Sequence, residues 1–167
     1  MVDNIGFGKD MRILIASGIY PPEGGGPSIY ARAMARALVS VGHTVTVVAY
    51  GEQKTSSEEG WRVVRVSRRG GPFIRYARFM FAAYRELKDV SVAYLQGAVS
   101  EGLPTMLAAR LRKVPAVLRV PGDYAWEMAQ QKGERDLLDA FLEKKHGGLI
   151  GLYEKLSLIH ISEPTRL

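Results

Sequence analysis

Residues 24–26 are three consecutive glycines, placed where an apolar run gives way to an alanine-rich amphipathic segment. Residues 11–16 (MRILIA) are short and rich in branched apolar side chains, which is typical of a strand buried on both faces of a parallel sheet. The next segment has a helical pattern, and either Gly26 caps it with Pro27 at its first position or Ser28 caps it. Glycines leave the amides of a helix start uncovered, so this loop could bind an anion such as a diphosphate.

The glycine loop does not match either of the common phosphate-binding motifs. A dinucleotide fingerprint counted from Gly24 requires a glycine where Ile29 stands, and a P-loop requires a following Gly-Lys-Ser/Thr. The alternative is a turn that only joins a strand to a helix. The binding interpretation depends on position, because ligands of open α/β sheets gather beyond the carboxyl ends of the strands, where this loop lies.

A second candidate site follows the predicted strand at residues 115–120. Two acidic and two aromatic side chains stand close together there, namely Asp123, Tyr124, Trp126 and Glu127. Aromatic faces pack on the C–H surfaces of sugars, and carboxylates accept hydrogen bonds from sugar hydroxyls. The pattern therefore indicates a sugar-binding loop.

Glu101 is a third candidate residue. It follows the predicted strand at residues 91–96 and precedes a helix that Pro104 opens. A carboxylate near a helix start is stabilised by the helix dipole. Glu101 is therefore a candidate either for capping the helix or for contacting a substrate.

The net charge of +6 is concentrated in residues 61–88, which contain eight basic residues and one acidic residue. The helical spacing of residues 72–88 predicts two faces. The stripe toward the sheet consists of Phe73, Ala77, Met80, Tyr84 and Leu87. The outer face carries Arg75, Arg78, Phe79 and Arg85. This face is either a solvated surface or a site of attachment to an anionic bilayer, to which each basic residue contributes on the order of 1 kcal/mol.

The alternation of strands and helices predicts an α/β fold with a doubly wound parallel sheet. Strands are predicted at residues 11–16, 44–50, 61–67, 91–96 and 115–120, and helices at residues 28–41, 72–88 and 104–113. Residues 52–60 read as a polar loop, and the third strand is expected near a sheet edge.

Composition excludes several classes of protein. The 167 residues correspond to one domain, and the absence of cysteine excludes disulfides and thiolate metal sites. No apolar run reaches the length of a membrane span, and no recognition helix or RNA-binding motif is visible, so nucleic acid is not an expected partner. The expected location is the cytoplasm.

Residues 11–51 (MRILIASGIYPPEGGGPSIYARAMARALVSVGHTVTVVAYG) resemble the amino-terminal domain of a family 4 glycosyltransferase, a retaining, sugar-nucleotide-dependent enzyme of GT-B architecture. Residues 94–97 (YLQG), 100–104 (SEGLP) and 121–127 (PGDYAWE) fit the same family. The resemblance implies the Rossmann-like first half of such an enzyme over residues 11–156. Residues 1–10 are expected to form a flexible leader. Residues 157–167 resemble translated adaptor or vector sequence and are expected to be a non-native tail.

The resemblance also implies an activity, which is transfer of a sugar to a glycan or lipid-linked acceptor with retention of configuration. The donor diphosphate would contact Gly24, Gly25 and Gly26. The acceptor would contact Glu101, Asp123, Tyr124, Trp126 and Glu127. Many relatives have a histidine just after the fifth strand, where Asp123 stands here, so Asp123 is the candidate for a catalytic role. Neither a metal nor a cofactor is expected.

Family members carry paired glutamates eight positions apart in their second domain, and no two glutamates of this chain have that spacing. The chain alone is therefore expected to transfer no sugar. The alternatives are a stand-alone nucleotide-binding module and a membrane-surface binding module without catalysis. Membrane attachment, if present, is expected on the inner face of the bilayer.

Overall fold

The computed structural model describes residues 10–53 and 55–119. The order of elements along the chain is β1 (Arg12–Ser17), α1 (Gly26–Ser40), β2 (Thr44–Tyr50), β3 (Ser56–Glu58), β4 (Trp61–Val66), α2 (Pro72–Glu86), β5 (Val92–Leu95), α3 (Gly102–Arg112) and β6 (Ala116–Leu118). Within the described residues the strands form one sheet in the order β3-β4-β2-β1-β5-β6, and every pair except β3 with β4 is parallel. The predicted α/β fold class is confirmed.

Both faces of the sheet are covered by helices, which explains why residues 13–16 of β1 form a continuous apolar run. Ile13 and Ile15 are buried on the face that packs against α1. Leu14 and Ala16 point to the opposite face, where α2 and α3 pack. Because successive side chains of a strand point to opposite faces, a strand covered on both sides must be apolar at every position.

The order in which strands are added to the sheet reverses at β1, which pairs with β2 on one side and with β5 on the other. The chain builds outward from β1 through β2 to β4, and then returns to add β5 and β6 on the other side of β1. In open α/β sheets, ligands bind beyond the carboxyl ends of the strands at such a reversal. The residues just after β1 and β5 therefore occupy the expected binding position.

The prediction that residues 52–60 form a loop is wrong for β3. This three-residue strand pairs with β4 in antiparallel fashion, with Ser56 opposite Val63. The connecting residues Glu59 and Gly60 have φ angles of 45° and 96°, as hairpin turns of this kind require. The strand SSE is short and polar, so it leaves no hydrophobic pattern from which it could be predicted.

The predicted faces of α2 are correct only in part. Met80, Tyr84 and Leu87 pack on the core as predicted, whereas Phe73 and Ala77 are exposed. Phe79, predicted on the outer face, is the clearest correction. Phe79 is fully buried and its ring lies 4.6 Å from that of Tyr50, so it cannot contact a membrane. The helix packs through Phe79, Ala83 and Leu87, whereas Phe73 is 90% exposed. The helix has apolar residues on more than one face, and the fit of Phe79 against Tyr50 decides which face turns inward.

No helix in the described part of the chain is long and apolar enough to cross a membrane.

Candidate functional site

The glycine loop leads from β1 into α1 and leaves the start of that helix open. Helix α1 begins at Gly26 and its N-cap is Gly25, so neither of the two predicted capping arrangements is observed. Gly25 has φ 132° and ψ 156°, a conformation that essentially only glycine adopts. A Cβ atom at Gly24 or Gly26 would meet nothing within 4 Å. Because no side chain caps the helix start, its amides and positive dipole end are available to an anion.

The buried side-chain amide of Gln96 forms hydrogen bonds on both sides of the loop. Gln96 follows β5 and is 4% exposed. In the orientation that satisfies both of its ends, the amide donates to the carbonyl of Pro27 (3.0 Å) and to Ser17 Oγ (3.1 Å), and accepts from the N–H of Ala31 (3.3 Å). Ser17 Oγ donates in turn to the carbonyl of Ile19 (2.6 Å). Gln96 thus ties the end of β1 and the first turn of α1 to β5, across the point where the sheet reverses.

Two further hydrogen bonds, one partly buried and one buried, fix the loop itself. Ser28 Oγ donates to the carbonyl of Glu23 (2.6 Å), which explains why this serine does not cap α1. Tyr20 is fully buried, and its hydroxyl accepts from the indole N–H of Trp61 (2.7 Å). Because these groups are paired and wholly or partly buried, they restrict the conformation of the loop.

Arg65 and Arg68 hold the loop from β4 and the segment after it, and the sequence analysis missed this role. Arg65 donates to the carbonyls of Tyr20 (3.3 Å) and Pro21. Arg68 donates to the carbonyl of Gly18 (2.8 Å) and forms an ion pair with Glu23 (2.7 Å). Their alternation with valines indicated a strand, but it gave no signal of the distant partners, which lie more than forty positions earlier.

Glu101 lies at the reversal of the sheet and is 6% exposed. Its carboxylate does not cap α3 but accepts hydrogen bonds from the Ser100 hydroxyl and the N–H of Gly18. Burial raises the pKa of the Glu101 carboxyl, against the lowering effect of these hydrogen bonds. Glu101 therefore joins the loop after β5 to the loop after β1. Its predicted contact with an acceptor stays a prediction.

Tyr50 ends β2 next to these groups. Its hydroxyl donates to the carbonyl of Ser100 (2.8 Å), and burial raises the pKa of that hydroxyl. The guanidinium groups of Arg68 and Arg75 lie 5.8 and 5.7 Å from the centre of its ring. The side of the sheet covered by α2 therefore has a basic and aromatic wall close to Glu101.

The structure brings together only part of the predicted site. The segment that contains the glycine loop contacts Glu101 through Gly18, whose N–H donates to the Glu101 carboxylate. The other predicted acceptor contacts lie outside the described residues, namely Asp123, Tyr124, Trp126 and Glu127. Of the predicted membrane contacts, Arg78 and Arg85 are exposed on α2, and Arg75 is turned toward Tyr50. In the described part of the chain, no group of three or more His, Asp or Glu side chains could hold a metal ion.

Comparison with known proteins identifies one matching family and several similar folds. The sequence matches the model of Glycosyltransferase Family 4 over residues 24–145. No curated protein matches the chain. The structure is similar to that of a putative UDP-N-acetylglucosamine 2-epimerase from Listeria monocytogenes, with a TM-score of 0.57, 12% identity, and coverage of 93% of this chain and 44% of the epimerase. This chain thus spans less than half of the epimerase, and at this identity the likeness concerns the fold alone.

Two crystal structures of the C-terminal domain of the PF1911 hydrogenase from Pyrococcus furiosus have lower TM-scores of 0.47 and 0.49. Each is 16% identical to this chain. They cover 70% and 69% of this chain, and 96% and 98% of the hydrogenase domain.

Proposed function

The chain belongs to glycosyltransferase family 4, and from that premise we propose that it forms the acceptor-side domain of a retaining glycosyltransferase. Such an enzyme transfers a sugar, of the hexosyl type, from a sugar nucleotide to a glycan or lipid-linked acceptor. The observation that carries the proposal is the open glycine loop at residues 24–26. It combines an uncapped helix start with a rigid buried support, at the place where open α/β sheets bind ligands.

The proposed contribution of this loop is to stabilise the departing diphosphate. Negative charge develops on that group as the bond to the sugar breaks, and the amides at the start of α1 point toward an anion at that position. Because Gln96, Trp61 and Arg65 already hold the loop, little reorganisation accompanies the reaction. The acceptor hydroxyl attacks on the face from which the diphosphate departs, so no protein nucleophile and no metal is required.

The remaining roles are assigned by family resemblance. Asp123 is proposed as the catalytic polar group, and Tyr124, Trp126 and Glu127 as acceptor contacts. Glu101, which is 6% exposed, is proposed to contact the acceptor. Since the chain has no glutamates eight positions apart, we propose that it binds the diphosphate but transfers no sugar by itself.

Substitution of Gly24 tests the proposal. Gly24→Asp should weaken binding of inorganic pyrophosphate by about tenfold or more, because a carboxylate beside the bound anion repels it. Gly24→Ala is the matched control, since a Cβ at this position meets nothing within 4 Å and should change the affinity by less than about threefold. Affinity is measured by titration of ¹⁵N-labelled protein, following the amide signals of residues 24–26.

Two results would contradict this function. One is an equal loss of affinity in the two Gly24 variants, which would make the site insensitive to charge. The other is a set of pyrophosphate-dependent shifts that leaves the amides of residues 24–26 unchanged.

We also propose that the outer face of α2 attaches the protein to an anionic membrane, at the inner face of the bilayer in the cytoplasm. Phe73, Ile74 and Phe81 are 90%, 52% and 62% exposed on this helix. Arg78 and Arg85 lie among them, and neither has an acidic partner within the described residues. Exposed aromatic side chains beside unpaired cations match the interface of an anionic bilayer in both polarity and charge.

Vesicle flotation tests this attachment. Recovery should be high with phosphatidylglycerol vesicles, low with phosphatidylcholine vesicles, and reduced by added salt. The double variant Phe73→Ser/Phe81→Ser should lose most of the recovery, whereas Leu111→Ser, which removes a 67% exposed side chain from α3, should keep it. Equal recovery with the two lipids would exclude an electrostatic attachment.

A further inference from the structure

Arg75 is a cation that the described part of the protein leaves without a counter-ion. Its guanidinium lies 5.7 Å from the ring centre of Tyr50 and 5.3 Å from that of Tyr76. Its Nε is buried and has no hydrogen-bond partner within the described residues. The residue also lies in the first turn of α2, a turn that contains no acidic residue. A guanidinium stays charged at all ordinary pH values, so this charge persists in the free protein.

The surroundings of Arg75 increase the positive charge. Arg68 lies over the same Tyr50 ring and shares its charge with Glu23. One turn further along α2, Arg78 donates to the carbonyl of Arg69 (2.7 Å) and has no acidic partner in the described ranges. The positive end of the α2 dipole disfavours a cation in its first turn. A buried donor without a partner is unfavourable as well. An anionic ligand beside the guanidinium would relieve the first of these effects.

Most of this cluster lies apart from the glycine loop, although Arg68 also bonds to Gly18 and Glu23 of that loop. It lies on the face of the sheet covered by α2, around the end of β2, whereas the glycine loop leads into α1 on the other face. Glu101 forms no ion pair with Arg75 in the described residues, and its carboxylate accepts hydrogen bonds from Ser100 and Gly18. Tyr50 connects the two regions, since its hydroxyl is bonded to the residue preceding Glu101.

We propose that Arg75, together with Arg68, binds a phosphate group of the acceptor, so that the acceptor substrate is a phosphorylated molecule. The planar donors of a guanidinium match the oxygens of phosphate, and stacking on Tyr50 holds the Arg75 guanidinium in place. The position at the carboxyl ends of the strands places this group beside the proposed transfer site. The identification of the ligand as the acceptor rests on the proposed function, whereas binding of a phosphate group by Arg75 does not.

The test uses the full chain and sn-glycerol 3-phosphate at constant ionic strength. We expect saturable binding that Arg75→Gln weakens at least fivefold. Arg85→Gln is the matched control, because it removes the same charge from the same helix where the side chain is exposed and lies over Phe81. It should change the affinity by less than twofold. Equal effects of the two variants, or no saturable binding, would overturn the proposal.

Two further measurements identify the source of the phosphate and separate this proposal from the diphosphate site. If Arg75→Gln also lowers flotation with phosphatidic acid vesicles, the ligand is a lipid headgroup; if only the soluble phosphate is affected, it is a soluble acceptor. Gly24→Asp should weaken binding of pyrophosphate more than binding of glycerol phosphate, and Arg75→Gln should do the reverse. Equal loss of both ligands in either variant would contradict two separate sites. Failure of pyrophosphate binding alone would count against the glycine loop only.

Discussion

Replacing Gly102 with alanine should lower the free energy of unfolding by about 3 kcal/mol or more. Gly102 is the first residue of α3, and a Cβ atom there would lie well under 3.0 Å from the carbonyl oxygen of Gly97. The obstacle is backbone rather than the end of a flexible side chain, so α3 or the end of β5 must move. The change is measured by urea denaturation.

Gly26→Ala is the matched control for this prediction. Gly26 is also the first residue of a helix, but its Cβ would meet nothing within 4 Å. Alanine there should change the free energy of unfolding by less than about 1 kcal/mol, and a gain would be expected from the reduced entropy of the unfolded chain. Similar losses in the two variants would contradict the close approach of α3 to Gly97.

The effect of Gly102→Ala should extend to the glycine loop. Contact between α3 and Gly97 holds Glu101 against Gly18, so displacement of α3 breaks the link between the loops after β1 and β5. Under conditions in which the variant is still folded, its affinity for pyrophosphate should fall as well. Gly26→Ala leaves this link intact.

Replacing Trp61 with alanine should lower the free energy of unfolding by about 3–5 kcal/mol. The side chain is 2% exposed and fills the core on the α1 face of the sheet. Its loss opens a large cavity and removes the hydrogen bond from the indole N–H to Tyr20 (2.7 Å). Thermal or urea denaturation measures the change.

Two variants separate the contributions at Trp61. Trp61→Phe keeps an aromatic ring but removes the indole donor, so it should retain more stability than Trp61→Ala. Phe73→Ala, which removes an aromatic side chain that is 90% exposed, should change the free energy of unfolding by less than about 0.5 kcal/mol. If Trp61→Ala were no more harmful than Phe73→Ala, the assignment of Trp61 to the core would be wrong.

Trp61 also links stability to the proposed site. Tyr20 lies between β1 and the glycines, and its carbonyl accepts hydrogen bonds from Arg65 and from the N–H of Glu23. Loss of the Trp61 contact should loosen this whole segment. Trp61→Phe is therefore expected to weaken pyrophosphate binding even where the protein stays folded.

Local sequence determined most of the elements and the place of the glycine loop. Strands β1 and β2 and the helices were predictable because continuous apolar runs and helical spacing reflect burial on both sides of a sheet. Three glycines between a strand and a helix were enough to predict an exposed turn into α1. The likeness of residues 11–51 to family 4 glycosyltransferases agreed with the family match.

The tertiary structure decided what depends on distant partners. Strand β3 exists because β4 offers it hydrogen bonds, and Phe79 is buried because Tyr50 provides a surface for it. Arg65 and Arg68 support the loop because β2 and β4 end beside it, although these arginines are distant in sequence. Propensity and periodicity describe neighbours along the chain. Strand register, helix rotation and ion pairing depend on packing and electrostatic interactions between elements. A local sequence pattern carries no information on these interactions.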